Sequence, residues 1–101
     1  MLEEVKRIIL EESSKLGITV ENVILFGSRA RGNYRKDSDW DILIIVKEPL
    51  SRTEYRELWR RIYEKVELPA DILIVSKKDF EKLKGLKGYV YYYASKEGVK
   101  I

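Results

Sequence analysis

Two apolar runs, Val23-Ile24-Leu25-Phe26 and Ile42-Leu43-Ile44-Ile45-Val46, enclose a stretch of very different character. From Gly27 to Asp41 the chain carries two glycines, three arginines and three aspartates. That pattern predicts a strand, a Gly/Arg-rich loop with room for a short helical turn after Gly27, and a second strand. Gly27-Ser28 stands at the lip of the first strand, and a Gly-Ser pair at a strand end can hold a phosphate. Asp39 and Asp41 stand at the lip of the second, and two alternating carboxylates can hold a divalent metal. The rest of the chain decides whether the two lips belong to one site.

Upstream, Leu2, Val5, Ile8, Ile9 and Leu16 recur at helical spacing, and Gly17 stands where a helix would end. The first strand is expected over 20–26 and the second over 40–46, stopped by Glu48-Pro49. Ser51 and Glu54 form a capping-box pattern. Tyr55, Leu58, Trp59, Ile62 and Val66 then make an apolar stripe, predicting a helix over about 52–66. Asp71 to Val75 reads as a third strand, and Ser76 as the cap of a following helix. Gly85 and Gly88 interrupt that helix. Residues 89–96 are expected to be helical and closed by Gly98, with 99–101 as a terminal edge strand. The whole reads as one α/β (α+β) domain over 1–101, a small mixed sheet with flanking helices.

Strand directions follow. For Gly27-Ser28 and Asp39/Asp41 to meet, the first two strands must be antiparallel. The third strand is separated from the second by a helix, and a strand–helix–strand unit of this length favours a parallel pair. Parallel strands begin at the same edge, so Asp71 arrives beside Asp39 and Asp41. Asp39 and Asp41 are two apart, hence on one face, ~7 Å apart at Cα. Three converging carboxylates repel unless one is protonated or a cation lies between them. A metal pair ~3.5–4 Å apart resolves the conflict and suits phosphoryl or nucleotidyl transfer.

Composition excludes other chemistries. With no cysteine and no histidine, disulfides, thiol catalysis, Ser-His-Asp triads and His-ligated zinc are all absent. Any metal must be held by oxygen ligands, which points to Mg²⁺ or Mn²⁺. A net charge of +3 comes largely from mixed Lys/Glu helices and reads as a solvated surface. No apolar run approaches the ~20 residues of a membrane span, and the opening Met1-Leu2-Glu3-Glu4 is unlike a signal peptide. A cytoplasmic location is expected.

Gly27-Ser28, ten intervening residues, then Asp39-x-Asp41 and a hydrophobic-flanked Asp71 resemble the nucleotidyltransferase superfamily of DNA polymerase β. The small size and the ending Lys96-Glu97-Gly98-Val99 look like its minimal prokaryotic members. The resemblance implies that Gly27 and Ser28 bind the β/γ-phosphates of ATP or another nucleoside triphosphate. It implies that Asp39 and Asp41 hold two Mg²⁺ (or Mn²⁺) ions, and that Asp71 completes the metal site beside the acceptor hydroxyl. It further implies in-line attack on the α-phosphorus with release of pyrophosphate. Minimal members are commonly paired with small helical HEPN toxins, acting as antitoxins, and some transfer AMP to a tyrosine of the toxin.

Several positions keep two readings. Gly27-Ser28 could form an ordinary turn, Asp39 could belong to the turn Lys36-Asp37-Ser38-Asp39, and Asp71 could merely end a strand. Arg29, Arg31 and Arg35 could contact triphosphate or line a solvated loop, with Arg29 taken among the nucleotide-binding residues. Ser38 could donate to phosphate or finish the turn. Gly32 is expected to supply a positive φ. The rings of Tyr89, Tyr91, Tyr92 and Tyr93 cannot all face one core, so some should form a surface for a partner or a second copy rather than a base-stacking platform. The second strand, apolar on both faces, points the same way, because so few helices would struggle to cover both. Three functions are in play: a nucleotidyltransferase acting on a protein partner, the same fold neutralising a partner by contact, and an enzyme extending a nucleic-acid end. The last is disfavoured, since 101 residues leave nothing over for an RNA-binding domain.

Overall fold

A computed structural model describes residues 2–101; Met1, at the start of the expected acidic helix, lies outside them. The order of elements is α1 (Leu2–Lys15), β1 (Val20–Phe26), α2 (Ser28–Arg31), β2 (Trp40–Val46), α3 (Arg52–Lys65), β3 (Ala70–Ser76), α4 (Lys77–Leu83), α5 (Val90–Glu97) and β4 (Val99–Lys100). The strands form one mixed sheet in the order β3-β2-β1-β4. β1 is antiparallel to both β2 and β4, while β2 and β3 are parallel.

Local signals set the element ends. α1 closes in a Schellman arrangement, with Gly17 N–H donating to the Ser14 carbonyl at 3.0 Å and Ile18 N–H to that of Ser13 at 2.9 Å. α3 opens on a complete capping box: Ser51 Oγ accepts from Glu54 N–H at 3.1 Å, and the Glu54 carboxylate accepts from Ser51 N–H at 2.9 Å. Ser76 Oγ caps α4 through Asp79 N–H. Gly98 ends α5 because of crowding rather than φ. A Cβ there would overlap the Ala94 carbonyl and the Ile24 side chain, so only glycine lets the end of α5 lie this close to β1.

The sheet is covered on both faces, as strand alternation requires. Val23, Leu25, Ile42, Ile44, Ile72 and Ile74 pack against Val5 and Ile9 of α1 and Leu58 and Ile62 of α3. Ile24, Phe26, Leu43, Ile45 and Val75 pack against Phe80 of α4 and Ala94 of α5. β2 is therefore buried from Ile42 to Val46, which corrects the expectation that too few helices exist to cover it. The two short C-terminal helices suffice for the second face. Truncating a fully buried side chain such as Ile62 to alanine would cost about 2–5 kcal/mol. The stripe expected on α3 is buried only in part: Tyr55 and Trp59 are exposed.

The faces of α1 and α3 also hold charge. Glu12 is 1% exposed and pairs with Lys15, Arg61 and Lys65 at 3.1, 3.3 and 3.0 Å, tying α1 to α3. These hydrogen bonds, Lys65 foremost, hold its carboxyl down to about 2. No helix among the described residues is long and apolar enough to cross a membrane.

Candidate active site

The site lies at the edge of the sheet where β1 ends and β2 and β3 begin. Phe26 pairs with Asp41 across the antiparallel step, and Asp41 stands in register with Asp71 across the parallel one. Adjacent strands run ~4.8 Å apart, so register alone makes Asp41 and Asp71 neighbours. Asp39 precedes β2 by one residue and shares the face of Asp41 by alternation. That face is the one covered further along by α4 and α5, since Leu43 and Ile45 follow Asp41 at steps of two. Asp39 and Asp71 are exposed, whereas Asp41 is half-buried.

Gly27 joins β1 to α2 at φ 72°, ψ −158°, a conformation open essentially to glycine. A Cβ here would overlap the Asp41 carboxylate, so the missing side chain is also what leaves that carboxylate its place. Ser28, half-buried, is the first residue of α2. Gly32 ends this short helix in the left-handed region, as expected.

Burial raises the pKa of the Asp41 carboxyl, and the charges of Asp71 and Asp39 raise it further, while Arg31 opposes them. The three carboxylates thus sense one another through space. Their oxygens are not gathered into a ligand set: among the described residues no three carboxylates stand ready to hold a metal. The donor set is oxygen only and aligned by backbone register, and the space left by Gly27 keeps Asp41 in place. An all-oxygen donor set of this kind fits the chemistry of Mg²⁺ or Mn²⁺.

Arg29 and Ser38 both have defined partners in the loop. The Arg29 guanidinium lies between the rings of Tyr34 and Trp40, 4.4 and 4.3 Å from their centroids. It donates to the carbonyls of Lys36, at 3.2 Å, and Ser38, at 3.0 Å. Trp40 packs toward the α1/α3 face, opposite to its neighbour Asp41. Arg29 is half-buried and braces the loop through these two carbonyls. Ser38 Oγ accepts from Arg35 N–H at 2.8 Å and finishes the turn.

Arg31, not singled out above the other loop arginines, is the one whose charge acts on Asp41. It pairs with Glu97 at the end of α5 at 3.0 Å. The helical turn after Gly27 was the available signal: on a helix, Ser28 and Arg31 share a face at i, i+3. Tyr63 gave no signal at all, as one more aromatic residue on α3. Its hydroxyl donates to the Ala70 carbonyl and accepts from Ile72 N–H, both at 2.9 Å. Burial raises its pKa, so it stays protonated. Two clefts lie away from all of this, about 290 Å³ between α4, α5 and β1 and about 440 Å³ between α1 and the end of α3.

Comparison with known proteins agrees with the geometry. A family model described as a nucleotidyltransferase domain matches residues 2–100. A protein of Methanocaldococcus jannaschii, provisionally named a protein adenylyltransferase, is 39% identical over 74 residues, which is 73% of this chain and 74% of that one. The crystal structure of a provisionally named nucleotidyltransferase from Sulfolobus solfataricus superposes with a TM-score of 0.62 at 25% identity, covering 99% of this chain and 78% of that chain. A chain of a toxin–antitoxin structure with AMP-PNP shares the fold at a TM-score of 0.53 and 16% identity, covering 93% and 69%. By its sheet order, its paired aspartates and its match over nearly its full length, this chain belongs to the nucleotidyltransferase domain family, among its minimal members.

Proposed function

We propose that residues 1–101 form one minimal domain that transfers a nucleoside monophosphate, AMP in the first instance, from a nucleoside triphosphate to an acceptor hydroxyl on a protein. The partner is a small helical protein of the HEPN kind, and the chain acts in the cytoplasm as its antitoxin. The choice of AMP and of a protein acceptor is supported by the name of the M. jannaschii relative. The partner is supported by the sequence resemblance. The single observation that carries the transfer reaction is the register Phe26–Asp41–Asp71, which sets Gly27-Ser28 beside three carboxylates on one face.

In this reading Gly27 N–H and Ser28 Oγ donate to the β/γ-phosphates, and Arg31 adds a cation facing the same corner. Asp39, Asp41 and Asp71 would hold two Mg²⁺, which supply positive charge against the triphosphate and the departing pyrophosphate. Asp71 lies beside the acceptor oxygen and favours loss of its proton. The acceptor oxygen forms a bond to the α-phosphorus as the bond from that phosphorus to the bridging oxygen breaks, and pyrophosphate leaves. Arg29 and Ser38 shape the loop that carries these groups.

The test uses labelled ATP, Mg²⁺ and the product of the neighbouring gene, with the wild-type chain and the double variant Asp39→Asn/Asp41→Asn. Label on the partner with wild type and none with the variant is the expected result. Suppression of the partner's toxicity without any transfer would replace this reading with neutralisation by contact, for which Tyr89 and Tyr93, each about half exposed on or beside α5, offer a surface to a partner or a second copy. Label on RNA in place of protein would move the acceptor to a nucleic-acid end.

A further inference from the structure

Asp71 differs from Asp39 and Asp41 in where its backbone sits. β2 is held on both sides, by β1 and β3, whereas β3 is the outermost strand. N–H and C=O groups alternate in direction along a strand, two residues sharing a side when they are two apart. Asp71 therefore turns its main chain inward to β2, and Ala70 and Ile72 turn theirs outward, where no further strand meets them. A strand so placed is free to fray, yet this one carries a carboxylate whose position the transfer reaction needs.

Tyr63 fills that gap. From α3, on the face opposite to the carboxylates, its hydroxyl reaches the sheet edge and makes both missing bonds at once. It donates to the Ala70 carbonyl and accepts from Ile72 N–H, each at 2.9 Å, spanning Asp71. The ring lies beside that of Trp59, centroid to centroid 4.0 Å, but both bonds to β3 are made by the hydroxyl. We propose that Tyr63 is a positioning residue for Asp71, one hydroxyl standing in for the neighbouring strand and fixing the main chain on both sides of the third carboxylate. The inference rests on the proposed role of Asp71 at the metal site.

The experiment compares wild type, Tyr63→Phe, Trp59→Leu and Asp71→Asn in two measurements. The first is amide hydrogen exchange without metal. Tyr63→Phe should expose the Ile72 amide by about tenfold while leaving Leu73, which faces β2, protected. The second is a Mn²⁺ titration in the presence of AMP-PNP, read by the electron paramagnetic resonance of free Mn²⁺. Tyr63→Phe should weaken the Mn²⁺ site that Asp71→Asn weakens, on the order of tenfold. Trp59→Leu disturbs the same helix but keeps the hydroxyl, and should stay near wild type in both. Unchanged Mn²⁺ affinity in Tyr63→Phe, or unchanged protection of Ile72, overturns the inference while the transfer reading stands. Equal losses in Trp59→Leu would do so as well, assigning the effect to helix packing. If Asp71→Asn itself leaves Mn²⁺ binding intact, the metal role of Asp71 falls, and the inference with it.

Discussion

The Asp41 carboxylate occupies the space in which a side chain at Gly27 would have to begin. The phosphate side and the carboxylate side of the site are thus in contact, and one methyl group separates a working arrangement from a disrupted one. Gly27→Ala should lose about 1–3 kcal/mol of stability from backbone strain alone, since φ 72°, ψ −158° suits only glycine. Transfer should fall much further, by roughly 10²-fold, because the added carbon displaces a reacting-site carboxylate. Thermal melting and a transfer assay on the same preparation check both. A variant with normal transfer would show that Asp41 can move aside without consequence.

Asp41 should trade stability for function. Its folded-state pKa lies above the ordinary 3.8 because of burial and the charges of Asp71 and Asp39. The native state therefore holds that proton more tightly than the unfolded chain, and stability falls as pH rises from 3.8 through the raised value. Asp41→Asn should accordingly melt above wild type at pH 7 in chelator. The gain should vanish below pH 3.8, while transfer is abolished. A lower melting temperature at pH 7 would contradict the cost of burying this charge beside Asp71 and Asp39.

Two arginines of one helical turn should fail in different ways. Arg29 is held between Tyr34 and Trp40 and donates to two loop carbonyls. Lysine has neither the fork nor the flat face, so Arg29→Lys should lose about 1–2 kcal/mol of stability. Arg31→Ala should leave melting nearly unchanged and raise KM for ATP about tenfold, with kcat affected less. Steady-state kinetics beside melting curves separates the two. A KM effect confined to Arg29→Lys would reverse the assignment.

Acid should loosen the join between α1 and α3. Glu12 titrates at 4.5 when free and at about 2 in the folded chain, so its contribution is complete above pH 4.5 and is lost as pH falls toward 2. Glu12→Gln should melt lower than wild type at neutral pH, with the difference shrinking through that window and closing near pH 2. Melting curves from pH 2 to 7 read this directly. A constant difference at every pH would mean that the loss is one of packing rather than charge.

Most of the site was legible in the sequence, because its geometry follows from strand direction. Strand ends fix where Gly27, Ser28, Asp39 and Asp41 lie, and one helical crossover delivers Asp71. Features made by side chains meeting from distant elements were not legible. Nothing near Arg29 announces that Tyr34 and Trp40 will enclose it, and no periodicity marks Tyr63 as a bracket for another element. The capping box at Ser51 and the turn at Ser38 are local and could be read. Glu12 could not, since its partners Arg61 and Lys65 lie about fifty residues on. Coverage of both sheet faces was not legible, because two short helices, separated by the stretch with Gly85 and Gly88, still bring Phe80 and Ala94 onto the core.

Because β3 is the last strand of the sheet on its side, Asp71 stands at a corner of the molecule. Asp71 is exposed, so in the reaction proposed above an acceptor need not be small or threaded through a channel. In the proposed reaction, the body of a large acceptor could remain outside while one hydroxyl touches the corner. Selectivity for that acceptor would then reside in whatever surface docks beside the corner, and evolution could change the client by altering that surface while leaving the carboxylates untouched.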